Sequence, residues 1–134
     1  MLGKRKIRKN ALNLVFGYNF NKDTDFVQYY NDAYDNFCCE DDEEESVKKV
    51  FFGICENVED IDKIISENIQ GWSITRLSKV TLSILRVSIF EMKYNELPPA
   101  ISINEAVELA KEFGEDGAAS YINGVLNTIS KKGF

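Results

Sequence analysis

The chain has 134 residues, 44% of them hydrophobic, a formal net charge of −6 and no histidine. That length and apolar content suit one domain spanning residues 1–134, and no run of about 18 apolar residues offers a membrane span. Without histidine the commonest general base and metal ligand is missing, which argues against Ser-His or Cys-His nucleophiles, most zinc sites and catalysis in general.

The N-terminus, Met1 to Lys9, is charged but lacks the apolar stretch of a signal peptide, so a cytoplasmic protein is expected. From Ile7 onward, Ala11, Leu14, Val15 and Tyr18 recur at three- and four-residue steps and predict a first amphipathic helix. A polar break at residues 21–25 offers several N-caps, after which Phe26, Tyr29, Tyr30, Ala33, Tyr34 and Phe37 predict a short aromatic second helix. The acidic run Glu40 to Glu45 reads as a solvated loop. It leads into one long stripe from Val47 through Ile54, Ile61 and Ile65 to Ile69, read as a single helix that Gly71 stops. Cys38, Cys39 and Cys55 form an odd set with no C-x-x-C spacing and read as reduced thiols.

Trp72 to Lys79 reads as a short helix or turn, with Trp72 a structural plug. Thr81 then caps a helix through Met92 that is apolar almost all round and therefore central. Pro98-Pro99 breaks the chain, and Ser102-Ile103-Asn104-Glu105 has the form of a capping box ahead of a helix that Gly114 ends. A last helix is predicted from Ala118 to Ile129. Glu105, Glu108 and Lys111 could form an acid-base set, but capping and an exposed ion pair explain them more economically. The outcome is an all-α chain of six or seven helices.

The negative net charge argues against a nucleic-acid partner until its distribution is considered: Lys4, Arg5, Lys6, Arg8 and Lys9 sit together, well away in sequence from the acidic run. Cations at a helix start oppose the dipole by about 0.3–1 kcal/mol each, a cost that a phosphate would reverse. On a helical wheel Arg5, Arg8, Lys9, Leu12 and Phe16 share one flank, an arrangement suited to single-stranded RNA, where a stacked base contributes about 1–3 kcal/mol. The alternative is a solvated, frayed terminus with Phe16 in the core. Five phosphate contacts would give a salt slope near −3.5, roughly a hundredfold loss of affinity between about 50 and 200 mM salt.

Four ordered blocks carry a resemblance: Gly71-Trp72-Ser73-Ile74-Thr75-Arg76-Leu77, then Ile84-Leu85-Arg86, then Ile103 to Lys111 (I-N-E-A-V-E-L-A-K), then Tyr121-Ile122-Asn123-Gly124-Val125-Leu126. In order and spacing they resemble the NusB family. Arg8, Ala11, Leu12, Val15 and Phe16 are similar to that family's N-terminal helix, and residues 51–57 to a further block. The resemblance covers nearly the whole chain and implies two small helical bundles packed on each other.

It also implies a function: transcription antitermination. Such a factor binds boxA-type RNA with NusE, a small-subunit ribosomal protein, within the RNA polymerase antitermination complex alongside other Nus factors, and promotes transcription of ribosomal RNA operons. Neither a cofactor nor a metal is implied. The RNA-binding candidates are Lys4, Arg5, Lys6, Arg8, Lys9 and Phe16, with Tyr121 open between core packing and RNA contact. Thr81, Leu82, Asp116 and Gly117 stand in regions the family offers to its partner, and Thr81, Leu82 and Gly117 depart from its usual residues there. Gly124 within a helix costs about 1 kcal/mol relative to alanine and points to close packing or a partner's approach. Two other readings remain: a protein-binding or self-associating module, including a homodimer, without RNA binding, and the related domain fused to RNA methyltransferases, for which this sequence shows no Gly-rich cofactor loop.

Overall fold

The computed structural model describes residues 2–34, 41–69 and 73–134, with the side chains of residues 5–33, 44–69 and 73–134. Among the described residues the chain is entirely helical, as its periodicity predicts, and divides into two compact units, Met1–Glu56 and Asn57–Phe134. Phe37, Cys38, Cys39, Glu40, Gly71 and Trp72 lie outside the described residues, as do the side chains of Lys4, Tyr34 and residues 41–43.

The first unit holds α1 (Leu2–Tyr18), α2 (Phe26–Tyr34) and α3 (Asp41–Glu56). Its core is built on Phe51, which is fully buried, with the rings of Tyr18, Tyr29 and Tyr30 around it at centroid distances of 5.9, 6.0 and 6.2 Å. The aromatic residues of α2 thus supply the packing area that a nine-residue helix would otherwise lack. Gly17 makes this fit possible, since a Cβ there would lie 2.2 Å from the Tyr29 hydroxyl. Burial raises the Tyr29 pKa, and that of Tyr18, whose hydroxyl donates to the Thr24 carbonyl at 2.7 Å.

The second unit holds α4 (Val58–Asn68), a 3-10 turn (Ile74–Arg76), α5 (Lys79–Tyr94), α6 (Pro99–Phe113) and α7 (Ala118–Lys132). Every residue of α5 from Thr81 to Phe90 is buried, so the helix that reads as apolar all round is the centre of its unit. It packs against α4, α6 and α7. Polar groups on it are satisfied across helices. Arg86 donates twice to Asp62 of α4, at 2.8 Å each, and the Ser88 and Ser102 hydroxyls lie 2.7 Å apart, with Ser102 also donating to the Ser88 carbonyl at 3.1 Å. At the far end of α5, Lys93 donates to Asp60 at 2.5 Å and Tyr94 donates to the same carboxylate.

Four sequence expectations are corrected. The acidic run, read as a solvated loop, is helical from Asp41 to Glu45, in the first turns of α3 where the dipole favours acid. The stripe from Val47 to Ile69 is two helices, because Asn57 takes the N-cap position of a new helix whose first turn carries Glu59 and Asp60, where the dipole favours acid. The cap of α5 is Ser78, whose hydroxyl accepts from the Thr81 N–H at 3.1 Å, so Thr81 lies inside the helix. Ser102 is likewise interior: α6 begins at Pro99, whose fixed φ and missing N–H suit a first helical position, and this starts the helix before the capping box. The other reading of that segment holds, since Lys111 and Glu108 form an exposed ion pair at 3.5 Å.

Candidate nucleic-acid interface

α1 starts at Leu2, so the basic cluster is part of the helix rather than ahead of it, and its first turn holds no acidic residue to offset the dipole. At about 100° per residue, Arg5, Phe16, Lys9, Asn13 and Lys6 fall in one sector about 100° wide. Arg5, Lys6 and Asn13 are exposed, and Lys9 and Phe16 are half-buried. The sector extends for about 16 Å from Arg5 to Phe16 along the axis. Its chemistry is cationic at the start and aromatic at the end.

The opposite side of α1 is wider than the predicted stripe. Ala11, Leu12, Leu14 and Val15 are all at most 4% exposed, and Arg8 is only 8% exposed. Leu12 and Arg8 therefore leave the flank on which the wheel grouped them with Arg5, Lys9 and Phe16. The physical reason is the breadth of the apolar face, which takes in the adjoining positions 8 and 12 as well as 7, 11, 14, 15 and 18.

Phe16 is not absorbed into the core. Its ring meets that of Phe20 edge-on, with centroids 5.3 Å apart and planes at 70°. Phe20, just past the end of α1, is 64% exposed. The sequence holds this pair at a four-residue spacing, a signal to which core periodicity alone gives no role.

In the second unit a cavity of about 250 Å³ is lined by residues that include Arg76, Ser78, Thr81, Asp116, Gly117 and Tyr121. It brings together three of the four partner-binding candidates. The fourth, Leu82, is buried in the core at 4% exposure. Thr81 is equally buried and makes a long 3.5 Å contact to the Glu115 carboxylate, to which its hydroxyl donates. Gly117 has φ +87°, the left-handed region that an ordinary side chain enters at a cost, and it forms the N-cap of α7 without a side-chain cap. That backbone accounts for glycine at this position.

Tyr121 takes a position between its two alternatives. It is partly buried and lines the cavity, while its hydroxyl is buried with no hydrogen-bond partner among the described residues. Loss of water raises its pKa. Gly124 is exposed, and a Cβ there would meet nothing within 4 Å. Close helix packing is therefore not its reason. That demand falls on Gly114, where a Cβ would lie 2.8 Å from both the Ala110 carbonyl oxygen and the Ala118 Cβ at the turn from α6 to α7.

The chain matches the model of the NusB family over residues 5–131. It is 36% identical over 131 residues to the transcription antitermination protein NusB of Ruminiclostridium cellulolyticum, covering 97% of this chain and 90% of that one. To the NusB of Clostridium novyi it is 38% identical over 136 residues, covering 97% and 99%. Among solved structures, NusB of T. maritima superposes with a TM-score of 0.87 at 30% identity, covering 96% of this chain and 90% of that one. A structure of the antitermination factors NusB and NusE in complex with dsRNA has a TM-score of 0.86 at 23% identity, covering 99% of each chain, which shows a shared fold.

Proposed function

The chain belongs to the NusB family, and on that footing we propose that it is a transcription antitermination factor that binds boxA-type single-stranded RNA together with a NusE-like small-subunit ribosomal protein. In this role it joins RNA polymerase and other Nus factors and sustains transcription of ribosomal RNA operons. It acts as an adaptor and not as an enzyme. The relatives are transcription antitermination proteins, and a protein of the same fold has been solved with NusE and dsRNA.

The single observation that carries the RNA reading is the sector of α1 on which Arg5, Lys6 and Lys9 accompany Phe16. Phosphates there would be held by side-chain cations and by the positive end of an uncompensated helix dipole. Lys4 joins them by sequence position. Arg8, at 8% exposure, serves the fold more than the RNA. Four phosphate contacts rather than five lower the expected single-strand salt slope to about −2.8. Tyr121 belongs with Thr81, Asp116 and Gly117, and we assign this cavity to the ribosomal-protein side of the assembly, with a partner group satisfying the Tyr121 hydroxyl. Leu82 supports that surface from within.

Fluorescence anisotropy of labelled boxA-type RNA, with and without the NusE-like protein, tests this function. Binding that tightens with the partner, and is weaker for scrambled RNA, is the expected result. A folded protein that binds no RNA in either condition contradicts it and leaves a protein-binding or self-associating module, which light scattering would then show as a dimer.

A further inference from the structure

Phe20 is the largest solvent-exposed aromatic surface among the described residues, and it does not stand alone. Its ring is set edge-on to Phe16, whose own position on α1 places it in the sector of Arg5 and Lys9. An isolated exposed apolar residue needs no explanation. This one is held in place by a run of hydrogen bonds. The Phe20 N–H donates to the Gly17 carbonyl at 3.1 Å, and the buried Asn19 side chain donates to the Val15 and Phe16 carbonyls at 3.2 Å each. Asn21 closes the turn, with its side chain donating to Gly17 and its N–H to Tyr18, both at 3.0 Å.

The turn thus satisfies the last carbonyls of α1 and fixes the backbone on both sides of an outward-facing aromatic. A surface side chain in a preorganised backbone loses little freedom on binding. A T-shaped pair covers at most one face of either ring, so each keeps a face for a further planar group. Lys9 lies about 10 Å back along the axis of α1 from Phe16, so a strand whose phosphates rest on the cations carries its following planar groups toward these rings, which is the chemistry of a nucleotide chain.

Resting on the RNA reading above, we propose that Phe20 is a base-stacking residue, which extends the RNA surface past the end of α1 and takes an unpaired base beside the one at Phe16. Bases inside a duplex are unavailable to such a platform, whereas phosphates are available in both forms. The platform therefore confers a preference for single strands that the cations cannot supply.

The test is anisotropy of a fluorescein-labelled single-stranded boxA-type RNA, and of its duplex, with wild type, Phe20→Ala, Phe20→Trp, Arg5→Ala and, as an apolar control on α2, Val27→Ala. Phe20→Ala is expected to weaken single-strand binding about tenfold while leaving duplex binding and thermal midpoint unchanged. Phe20→Trp should retain affinity, and its emission should be quenched by RNA beyond the change seen for Trp72 in wild type. Val27→Ala should match wild type. If Phe20→Ala binds single strands as wild type does while Arg5→Ala is weakened, the stacking assignment is overturned, the RNA reading stands, and the exposed ring is left to a protein partner. If Phe20→Ala weakens single strand and duplex equally, stacking is likewise overturned. Absence of RNA binding by wild type overturns both.

Discussion

The two units use the same residue types in opposite ways. In the second unit Arg86 is buried on α5 and donates to Asp62 through Nε and Nη2, while Ser88 and Ser102 satisfy each other in the core. In the first, Arg5, Lys6 and Lys9 lie together on the outer sector of α1, with Arg5 in the first turn, where the dipole disfavours a cation. Position relative to the core, rather than residue type or membership of a recognisable motif, separates polar groups that hold the fold from those carried on an outer sector. Ile84-Leu85-Arg86 is one of the blocks by which the family is recognised, yet its arginine is structural.

The largest effect that would break this comparison comes from the inner pair. Asp62→Ala removes the carboxylate that accepts from Arg86 Nε and Nη2, on a side chain that is 11% exposed, and is expected to destabilise the protein by about 2 kcal/mol, allowing for the 29% exposure of Asp62. Urea denaturation measures this, and RNA affinity of the folded protein should be unchanged. A loss of RNA binding without a loss of stability would place Arg86 among the functional groups.

A smaller and opposite effect is expected at Tyr121. Removing its buried, unpartnered hydroxyl by Tyr121→Phe should stabilise the free protein by about 1 kcal/mol, since such a group carries its desolvation cost without return. The same substitution should weaken binding of the NusE-like partner in calorimetry. Stabilisation with no change in partner affinity would reduce Tyr121 to core packing.

The smallest effect concerns Asp60, whose carboxyl is held below its ordinary range by hydrogen bonds from Lys93 and Tyr94. Because the folded value is depressed, the contribution is complete above the ordinary carboxylate range and is lost as pH falls through the lowered one. Lys93, raised chiefly by its hydrogen bond to Asp60, contributes fully up to the ordinary lysine range and loses its part only as pH rises through the raised value. Thermal midpoints of Asp60→Asn should thus differ from wild type at neutral pH and converge with it as pH falls below the ordinary carboxylate range. The cluster is solvent-exposed, so the difference should be small and should shrink in salt. A difference that persists at low pH would contradict the ionic origin of this contact.

Much of the fold is legible in the sequence because it is local. The unbroken burial of α5, the stop at Gly114 and the start of α7 at Ala118 follow from periodicity and from glycine placement. What escapes local reading involves competition or distance. Asn57 interrupts a helix without interrupting its apolar period, and Pro99 starts α6 ahead of a good-looking cap at Ser102. Ser102 and Arg86 find partners 14 and 24 residues away, a pairing that no pattern along one helix displays. In the candidate site, the sequence reading assembled the basic cluster and Phe16. It could not tell Arg8 from Lys9, neighbours in the chain on opposite sides of the boundary of the buried face. Phe20 stands four residues past Phe16 but outside the core period, and the ring geometry gives that spacing its meaning.

The central claim is that the outer sector of α1 binds RNA through phosphates, and the salt dependence of single-stranded RNA affinity tests it most directly. Four contacts predict a slope of about −2.8, a loss of roughly fiftyfold between about 50 and 200 mM salt, and Arg5→Ala should reduce the slope by about 0.7 while leaving stability within about 0.5 kcal/mol of wild type. An affinity that does not change with salt, or a slope that Arg5→Ala and Lys9→Ala leave untouched, would contradict the account.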